Sequence, residues 1–418
     1  MKQRRSNRSV TVRLTLAAVI LLAVLALAIV IAHRAHAPVP EPTPEPEQTD
    51  AAETATPEPT PTPEPTETPA PSAQPNPDAL AVLNGMSTRE KICQLLVVQP
   101  EYLTTSQAAV TSVSDGLARS LQEYPVGGIL LTLPNMTGPT QLQTLTADLQ
   151  SASGIPLILC LDEEGGDISR LMVKVGTTKL DNMYTYRNQG PSVARQNGAT
   201  LGRDLARFGF NTDLAPVADV WSNPKNEVIG ERAYSDNYEQ AAELVGAAVL
   251  GFHDSGTICC LKHFPGHGST RTDSHQEAAY VDRTLGELRK GELLPFISGI
   301  SAGADMVMVG HLTVPSIDTV PATYSKRIVT GLLREELGFD GVVITDGMEM
   351  NAAGKASDGE KALRALNAGC DLILGIVDIP GTVQALEQAV ADGTLTMEEL
   401  DAHVLRVLEM KAQYGLLP

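Results

Sequence analysis

Short runs of consecutive apolar residues recur eight times between residues 79 and 418, and most are continuous instead of alternating with polar positions. Continuous runs are typical of strands buried on both faces of a parallel sheet. The eight runs begin at Leu95, Gly127, Pro156, Thr212, Thr257, Ala304, Gly341 and Asp371. Amphipathic segments such as TQLQTLTADLQSA and KRIVTGLLREELG lie between them and predict helices. Eight strand–helix units over about 320 residues predict an α/β fold, a (β/α)8 TIM-type barrel.

A doubly wound open sheet is the main alternative fold, but no G-x-G-x-x-G segment follows any run, so the barrel is favoured.

The ends of these runs carry ionisable residues. Barrel enzymes place their chemistry at the carboxyl ends of the strands. Polar residues at those ends are Asp162, Glu163, Glu164, Asp219, Lys262, His263, His311 and Asp346. Each alone could be a solvated loop residue, but together they predict one functional rim.

The first 37 residues resemble a membrane-targeting segment. They contain six basic side chains and no acid, and residues 14–32 are apolar apart from Thr15. As a helix this run would be roughly 28 Å long, close to a bilayer core of about 30 Å. Because most of the basic residues precede it, we expect a transmembrane anchor with a cytoplasmic N-terminus. The alternative is a signal peptide cleaved after Ala37; either form predicts export.

Residues 38–79 predict a disordered linker. Residues 38–78 hold 14 of the 28 prolines, nine acids and no Lys or Arg. Proline favours extended polyproline II geometry and like charges repel, so this segment should be a stiff, solvated spacer. Residues 80–418 then form a single catalytic barrel domain, and we expect a monomer.

The folded part is strongly acidic. Of the net charge of −19, the first 37 residues carry +6 and the linker −9, which leaves −16 for residues 79–418. Such a surface repels nucleic acid and anionic membranes, so partners of both kinds are excluded for this domain. The five cysteines are odd in number and stand mostly in apolar runs, so they predict core residues and no disulfide framework.

The segment KHFPGHGSTRTDSH, residues 262–275, is the densest group of chemically active side chains. Pro265, Gly266 and Gly268 exclude a regular helix. The four-residue spacing of His263 and His267 therefore lacks the helix, and also the intervening Glu, of a zinc-binding helix. We predict no metal site in this segment and no cofactor.

The pair Asp273 and His275 predicts an acid/base group. Residues two apart in an extended loop point to the same side. A carboxylate beside an imidazole holds one tautomer and stabilises the charged form, which tunes a proton donor near neutral pH. The alternative is an Asx-type turn with an exposed histidine.

Taken together, KHFPGHGST and the following DSH resemble the signature of the β-N-acetylhexosaminidases of glycoside hydrolase family 3. The resemblance implies that His275 is the general acid/base on a mobile loop and that Asp273 assists it. GFDGVVITDGMEM resembles the strand that ends in the nucleophile, which would be Asp346. Independently, Asp346 is the first ionisable group after a buried run, where a carboxylate is costly unless it is partnered or functional.

Three further segments imply a sugar pocket. CLDEEGGDISRL resembles the family segment whose Asp and Arg line the pocket, here Asp162 and Arg170. IGERAY is similar to the segment whose arginine contacts the sugar, here Arg232, and the family's Lys-His pair corresponds to Lys262 and His263. Two positions depart from the family pattern. Gly347 stands where a second acid often follows the nucleophile, and Asp167 where a longer or basic side chain is common.

The resemblance implies an exported, retaining β-N-acetylglucosaminidase that removes terminal β-linked N-acetylglucosamine from peptidoglycan fragments. It would act at the extracellular face of the membrane or in the cell wall. Three alternatives stay open: a phosphorylase, in which phosphate replaces water; another family 3 β-glycosidase; and a catalytically inactive wall-binding protein. The β-glucosidase branch takes its acid/base from a second domain, which we do not expect after the last predicted strand.

Overall fold

The computed structural model describes residues 75–104, 108–271 and 279–418. Eight parallel strands form its central sheet, and each coincides with one of the eight apolar runs. The strands are β1 (Leu96–Val98), β2 (Gly128–Leu130), β3 (Ile158–Leu161), β4 (Thr212–Asp213), β5 (Ile258–Phe264), β6 (Met306–Val309), β7 (Val342–Thr345) and β8 (Ile373–Leu374). The strand prediction is therefore confirmed.

The sheet curves into an almost closed barrel. Strands β1 to β7 pair in chain order, and β8 lies on the other side of β1, with Leu96 in register with Ile373. A parallel bridge between Ile344 and Leu372 brings β7 to the residue that precedes β8. The Thr345 amide donates a 3.0 Å hydrogen bond to the Leu372 carbonyl at the same place. All eight carboxyl ends thus point to one rim, as the barrel prediction requires.

Helices surround the sheet. They are α1 (Pro77–Gly85), α2 (Thr88–Gln94), α3 (Asp115–Glu123), α4 (Pro139–Ala152), α5 (Arg170–Val175), α6 (Pro191–Arg207), α7 (Tyr238–Asp254), α8 (Leu285–Lys290), α9 (Leu294–Ser301), α10 (Asp358–Ala368), α11 (Ile379–Asp392) and α12 (Met397–Gln413). A π-helix, Arg327–Glu336, occupies the place between β6 and β7 where the KRIVTGLLREELG pattern predicts a helix. Helix α1 begins at Pro77, three residues before the predicted domain start at residue 80.

Several helices begin where the sequence supplies a capping box. At Thr396, which precedes α12, the hydroxyl accepts a hydrogen bond from the Glu399 amide, and the Glu399 carboxylate accepts one from the Thr396 amide at 2.9 Å. Ser87 with Glu90 repeats this arrangement before α2. Two otherwise unpaired amides are satisfied at each helix start, so the local sequence determines where these helices begin.

The core lies inside the barrel and between the barrel and its helices. The side chains of β1, β3 and β6 are buried throughout, and Phe264 packs edge-on against Phe296 with ring centroids 5.2 Å apart. All five cysteines are buried and unbridged, as predicted.

Within the described residues no helix has the length and apolar character needed to cross a membrane. The apolar run at residues 14–32 lies outside the described residues, as does the predicted linker up to residue 74. The same holds for Asp273 and His275, the predicted acid/base pair.

Candidate active site

A cavity of about 200 Å³ opens at the carboxyl ends of the barrel strands. Six of the eight predicted site residues line it: Asp162, Arg170, Arg232, Lys262, His263 and Asp346. Asp162 follows β3, Lys262 and His263 lie in β5 just before its last residue, and Asp346 follows β7. The parallel barrel brings them to one rim although they span nearly 200 positions of the chain.

A hairpin after β3 lies between Asp162 and Arg170 in the sequence and positions both residues. Its strands are Glu163–Gly165 and Ile168–Ser169, and the turn between them uses Gly165 and Gly166 at φ values of +86° and +59°. A Cβ on Gly166 would lie only 1.9 Å from the Asn182 side-chain oxygen. Glycine is therefore required here by conformation and by space, and the EGG sequence brings Glu164 into the cavity lining.

Lys262 is held by two carboxylates. Its side chain is almost fully buried, and Nζ lies 2.6 Å from Asp162 Oδ1 and 2.6 Å from Glu164 Oε1. Burial alone would lower the pKa of Lys262, but the two neighbouring carboxylates hold it above its usual range. The ammonium group is therefore charged and has a fixed direction at the floor of the cavity.

Glu164 also holds Arg232. The guanidinium donates from Nε and Nη2 to the two Glu164 oxygens, both at 2.7 Å. Burial by itself would raise the pKa of Glu164, yet Lys262 and Arg232 hold it well below its usual range. One buried carboxylate thus orients two cations from different segments of the chain.

Asp219 holds His263 and His267 in position through hydrogen bonds. One of its oxygens, Oδ2, accepts the His263 amide at 3.1 Å and lies 2.7 Å from His263 Nδ1. The other accepts the His267 amide, and His267 Nδ1 lies 2.7 Å from the Thr270 hydroxyl. Burial would raise the pKa of Asp219, but the neighbouring His263 and the bonds it receives lower it. Because Asp219 is a carboxylate acceptor, His263 donates from Nδ1 and turns Nε2 away from Asp219.

Close backbone contact fixes the segment that follows β5. A Cβ on Gly268 would lie 1.6 Å from the Val220 carbonyl oxygen, so only glycine permits this approach. The Asn226 amide group donates to the His267 carbonyl at 2.8 Å. Residues 265–271 are therefore anchored next to the cavity, immediately before the predicted Asp-x-His loop.

Asp346 stands at the end of β7 with a fixed backbone. Its amide donates to the Val309 carbonyl at 3.0 Å, and its Oδ1 accepts from the Gly347 amide at 2.9 Å. His311 Nε2 lies 2.9 Å from the Gly347 carbonyl and supports the same turn. The carboxylate is half-buried and lines the cavity, which is the position expected for a nucleophile at a barrel rim.

The family of the chain follows from its similarity to known proteins. A family profile described as the glycosyl hydrolase family 3 N terminal domain matches residues 87–410, more than half of the chain. The chain belongs to glycosyl hydrolase family 3. It is therefore a member of a glycosidase family, as the sequence motifs predicted.

Individual family 3 proteins are similar over much of this chain. Beta-hexosaminidase A of Pseudoalteromonas piscicida is 33% identical over 338 residues, covering 73% of this chain and 56% of that protein. A family 3 beta-N-acetylglucosaminidase structure from Paenibacillus sp. str. FPU-7 has a TM-score of 0.74 at 35% identity, covering 79% of this chain and 63% of that one. M. tuberculosis LpqI has a TM-score of 0.71 at 31% identity, covering 82% and 98%. The chain thus spans less than two thirds of the first two proteins.

Glu164 and Asp219 also belong to the site, although in the sequence they stand out only as polar groups at the predicted rim and not as sugar-binding positions of the family 3 motifs. Neither has to touch a substrate, because each acts through the cations or histidines that it holds. A signal was nevertheless present in the sequence. A buried carboxylate near the end of an apolar run needs a charged or hydrogen-bonding partner, and each of these two residues has one.

The two departures from the family 3 pattern lie in different surroundings. Asp167 is exposed and pairs with the Asn182 amide at 2.9 Å, outside the cavity lining. At the other departure, a Cβ on Gly347 would lie 2.9 Å from Glu349 Oε2, and one on Gly375 would lie 1.7 Å from the same oxygen. The Glu349 carboxylate therefore occupies the space beside Gly347, and Glu349 also lines the cavity.

Proposed function

We propose that this protein is a retaining β-N-acetylglucosaminidase that removes terminal β-linked N-acetylglucosamine from peptidoglycan fragments. One observation carries the proposal. Asp346 shares a cavity at the barrel rim with a connected set of charges that contains Asp162, Lys262, Glu164 and Arg232. The names of the similar proteins support the choice of sugar, since they are a beta-hexosaminidase and a beta-N-acetylglucosaminidase.

The charged lining suits a sugar ring. Each hydroxyl group can donate and accept a hydrogen bond, and the cavity offers both kinds of partner at fixed positions. Asp162 is an acceptor, while Lys262, Arg170 and Arg232 are donors. The ion pairs of Lys262 with Asp162 and of Lys262 and Arg232 with Glu164 orient these side chains before a substrate arrives, so less free energy is spent on ordering them during binding.

The proposed reaction has two displacements. The Asp346 carboxylate attacks the anomeric carbon while His275 gives a proton to the leaving oxygen, which breaks the glycosidic bond and forms a glycosyl ester. His275 then takes a proton from water, and the resulting hydroxide attacks the same carbon and releases the carboxylate. Asp273 stabilises the His275 imidazolium that donates the first proton and that forms again when water is deprotonated in the second step. The roles of His275 and Asp273 rest on the family resemblance.

Kinetics on a chromogenic β-N-acetylglucosaminide tests the nucleophile. We expect Asp346→Asn to lower kcat by at least about 10³-fold. The control Asp115→Asn, an exposed position at the start of α3, should retain wild-type activity. Mass analysis should find a glycosyl adduct on the peptide that contains Asp346. Wild-type rates in Asp346→Asn would overturn the assignment.

The stereochemistry and the acceptor are tested separately. Azide added to an Asp346→Gly variant should restore turnover and produce the α-configured glycosyl azide, because azide attacks from the face that the carboxylate has left. Proton NMR of the wild-type reaction should show the β-anomer first. If added phosphate diverts the product to the sugar 1-phosphate, the enzyme is a phosphorylase. A protein without activity in any of these assays would instead be a wall-binding protein.

The natural substrate and location are part of the same proposal. Digestion of purified peptidoglycan fragments should release single N-acetylhexosamine units from the non-reducing end, detected by product mass.

Export rests on the apolar run at residues 14–32. Fractionated cells should hold the full chain in the membrane, accessible to external protease, or release it if the run is cleaved. A double substitution, Leu22→Arg with Leu25→Arg, should keep it inside the cell. Cytoplasmic wild-type protein would contradict export.

A further inference from the structure

A second group of chemically active side chains lies at the opposite end of the barrel from the cavity. Its members are His253 near the end of α7, Cys259 near the start of β5, and Asp305 immediately before β6. Cys259 and His263 are on the same strand, about 13 Å apart along its length. This group therefore belongs to the amino-terminal face of the barrel, where side chains serve stability and not the reaction.

Each of the three residues directs one potential metal ligand at a common point. His253 Nε2 lies 3.2 Å from Asp305 Oδ2, Cys259 Sγ lies 3.9 Å from His253 Nε2, and all three ligand atoms lie within 4.8 Å of one another. A tetrahedral zinc ion with ordinary bond lengths separates its nitrogen and oxygen ligands by about 3.3 Å and its sulfur and nitrogen ligands by about 3.6 Å. The nitrogen–oxygen and sulfur–nitrogen separations match these values to within a few tenths of an ångström, and the sulfur and oxygen atoms lie within 4.8 Å of each other.

The surroundings also suit a metal. Tyr414, just after α12, donates from its hydroxyl to Asp305 Oδ1 at 2.7 Å, while Oδ2 faces His253 Nε2 and also accepts the Cys259 amide at 2.9 Å. A hydrogen bond to the second oxygen of a ligating carboxylate is the usual way to orient it. Cys259 is fully buried, whereas 27% of the His253 side chain is exposed. An ion can therefore enter past His253 without disturbing the core.

We propose that His253, Cys259 and Asp305 form a zinc-binding site, with the fourth position open to water. On binding, the Cys259 thiol proton and any proton on His253 Nε2 pass to solvent, and the thiolate, imidazole and carboxylate become ligands. The site joins α7, β5 and β6, and through Tyr414 it also joins α12. Zinc would therefore stabilise the amino-terminal face of the barrel independently of the proposed glycosidase activity.

Metal titration of the full, untagged protein tests this proposal. We expect one zinc ion per chain and an unfolding midpoint that rises with zinc concentration. With Co²⁺ as the probe, a thiolate-to-metal charge-transfer absorption should appear. Cys259→Ser should abolish that absorption, whereas Cys260→Ser should keep it, because consecutive residues of a strand point to opposite faces. His253→Gln should weaken zinc binding at least tenfold, and Tyr414→Phe by about 10- to 100-fold.

The active-site histidines provide the discriminating control. His263→Gln removes an imidazole from the catalytic rim and should leave zinc affinity and the cobalt spectrum unchanged. If His263→Gln abolishes metal binding while His253→Gln does not, the ion binds at the cavity and the proposal is wrong. Absence of any zinc binding by the wild-type chain would also overturn it. Because His253 is partly exposed, His253→Gln is expected to fold, which circular dichroism without metal verifies.

Discussion

Glu164 Oε1 lies 2.6 Å from Lys262 Nζ, and both side chains are almost completely buried. The same carboxylate receives two hydrogen bonds from Arg232, so three charges from three separate segments form one unit. Asp162 completes the set at 2.6 Å from Lys262. Two carboxylates thus balance two cations, and the unit keeps charged donors under the sugar position without leaving a buried charge unpaired.

Replacing Glu164 by Gln should damage both stability and binding. Removing one partner of a buried ion pair costs about 3–5 kcal/mol, since the other charge stays buried. We expect the free energy of unfolding in urea to fall by about 3 kcal/mol, and kcat/KM to fall at least about tenfold, mainly through KM. The control is Glu336→Gln, which breaks the exposed pair with Arg289 and should cost less than about 1 kcal/mol. Equal losses in the two variants would contradict the role of Glu164.

Asp219→Asn should loosen the two histidines beside the cavity. The carboxylate accepts bonds on both oxygens, from His263 and from His267. An amide has only one acceptor oxygen, so one of these donors would face an NH2 group. Hydrogen bonds to charged groups are worth about 1.5–3 kcal/mol, which predicts a KM about 10- to 100-fold higher with a smaller change in kcat. Asp340→Asn, at an exposed position before β7, should leave both constants unchanged. A normal KM in Asp219→Asn would show that His263 needs no such support.

Lys411 predicts an unusual dependence of stability on pH. It is fully buried and donates from Nζ to the Gln94 side-chain oxygen at 2.8 Å. Burial lowers the pKa of Lys411 to about 7, against 10.5 for an ordinary lysine. Between these values the unfolded chain binds more protons than the folded one, so stability should rise as pH increases from 7 to 10.

Lys411→Met should remove this rise and stabilise the protein at pH 7. The gain in stability is reduced because the Gln94 side-chain oxygen loses its hydrogen-bond donor. We therefore expect the free energy of unfolding at pH 7 to increase by on the order of 1 kcal/mol. Urea unfolding at pH 7, 8 and 9.5 measures the slope for each variant. Lys290→Met, at an exposed lysine of α8, should keep the wild-type slope. The same slope in Lys411→Met as in wild type would exclude Lys411 as its source.

Substitutions at Gly347 and Glu349 should compensate for each other's effect on kcat/KM. The Glu349 carboxylate lies beside Gly347, one of the two positions that depart from the expected family pattern. Glu349→Ala should lower kcat/KM about tenfold, the equivalent of one hydrogen bond to a charged group. Gly347→Asp alone should also lower it, because two carboxylates would compete for one space.

The double variant, Gly347→Asp with Glu349→Ala, should recover most of the activity, since the new aspartate takes the vacated place. A double-mutant cycle on kcat/KM gives the coupling energy, and strictly additive losses would argue against a shared position. Gly85→Ala, at the end of α1 with open space around it, serves as the control for adding a Cβ.

The sequence by itself determined where the strands lie and which end of the barrel carries the ionisable residues. A parallel strand that is buried on both faces has a continuous apolar run in its own sequence. All eight such runs form the strands β1 to β8. Because the strands are parallel, a polar residue just after a run must lie at one rim. Asp162, Lys262 and Asp346 stand at the ends of such runs and match the family motifs, and all three line the same cavity.

Only the tertiary structure decided which charges are partners. Glu164 meets Arg232 across 68 positions, and Lys262 meets Asp162 across 100. The ligand-like group of His253, Cys259 and Asp305 likewise joins a helix end to the starts of two strands. These pairings depend on strand register, barrel curvature and the angle at which helices pack. Those properties arise from the sum of many distant contacts, so no local pattern of residues contains them.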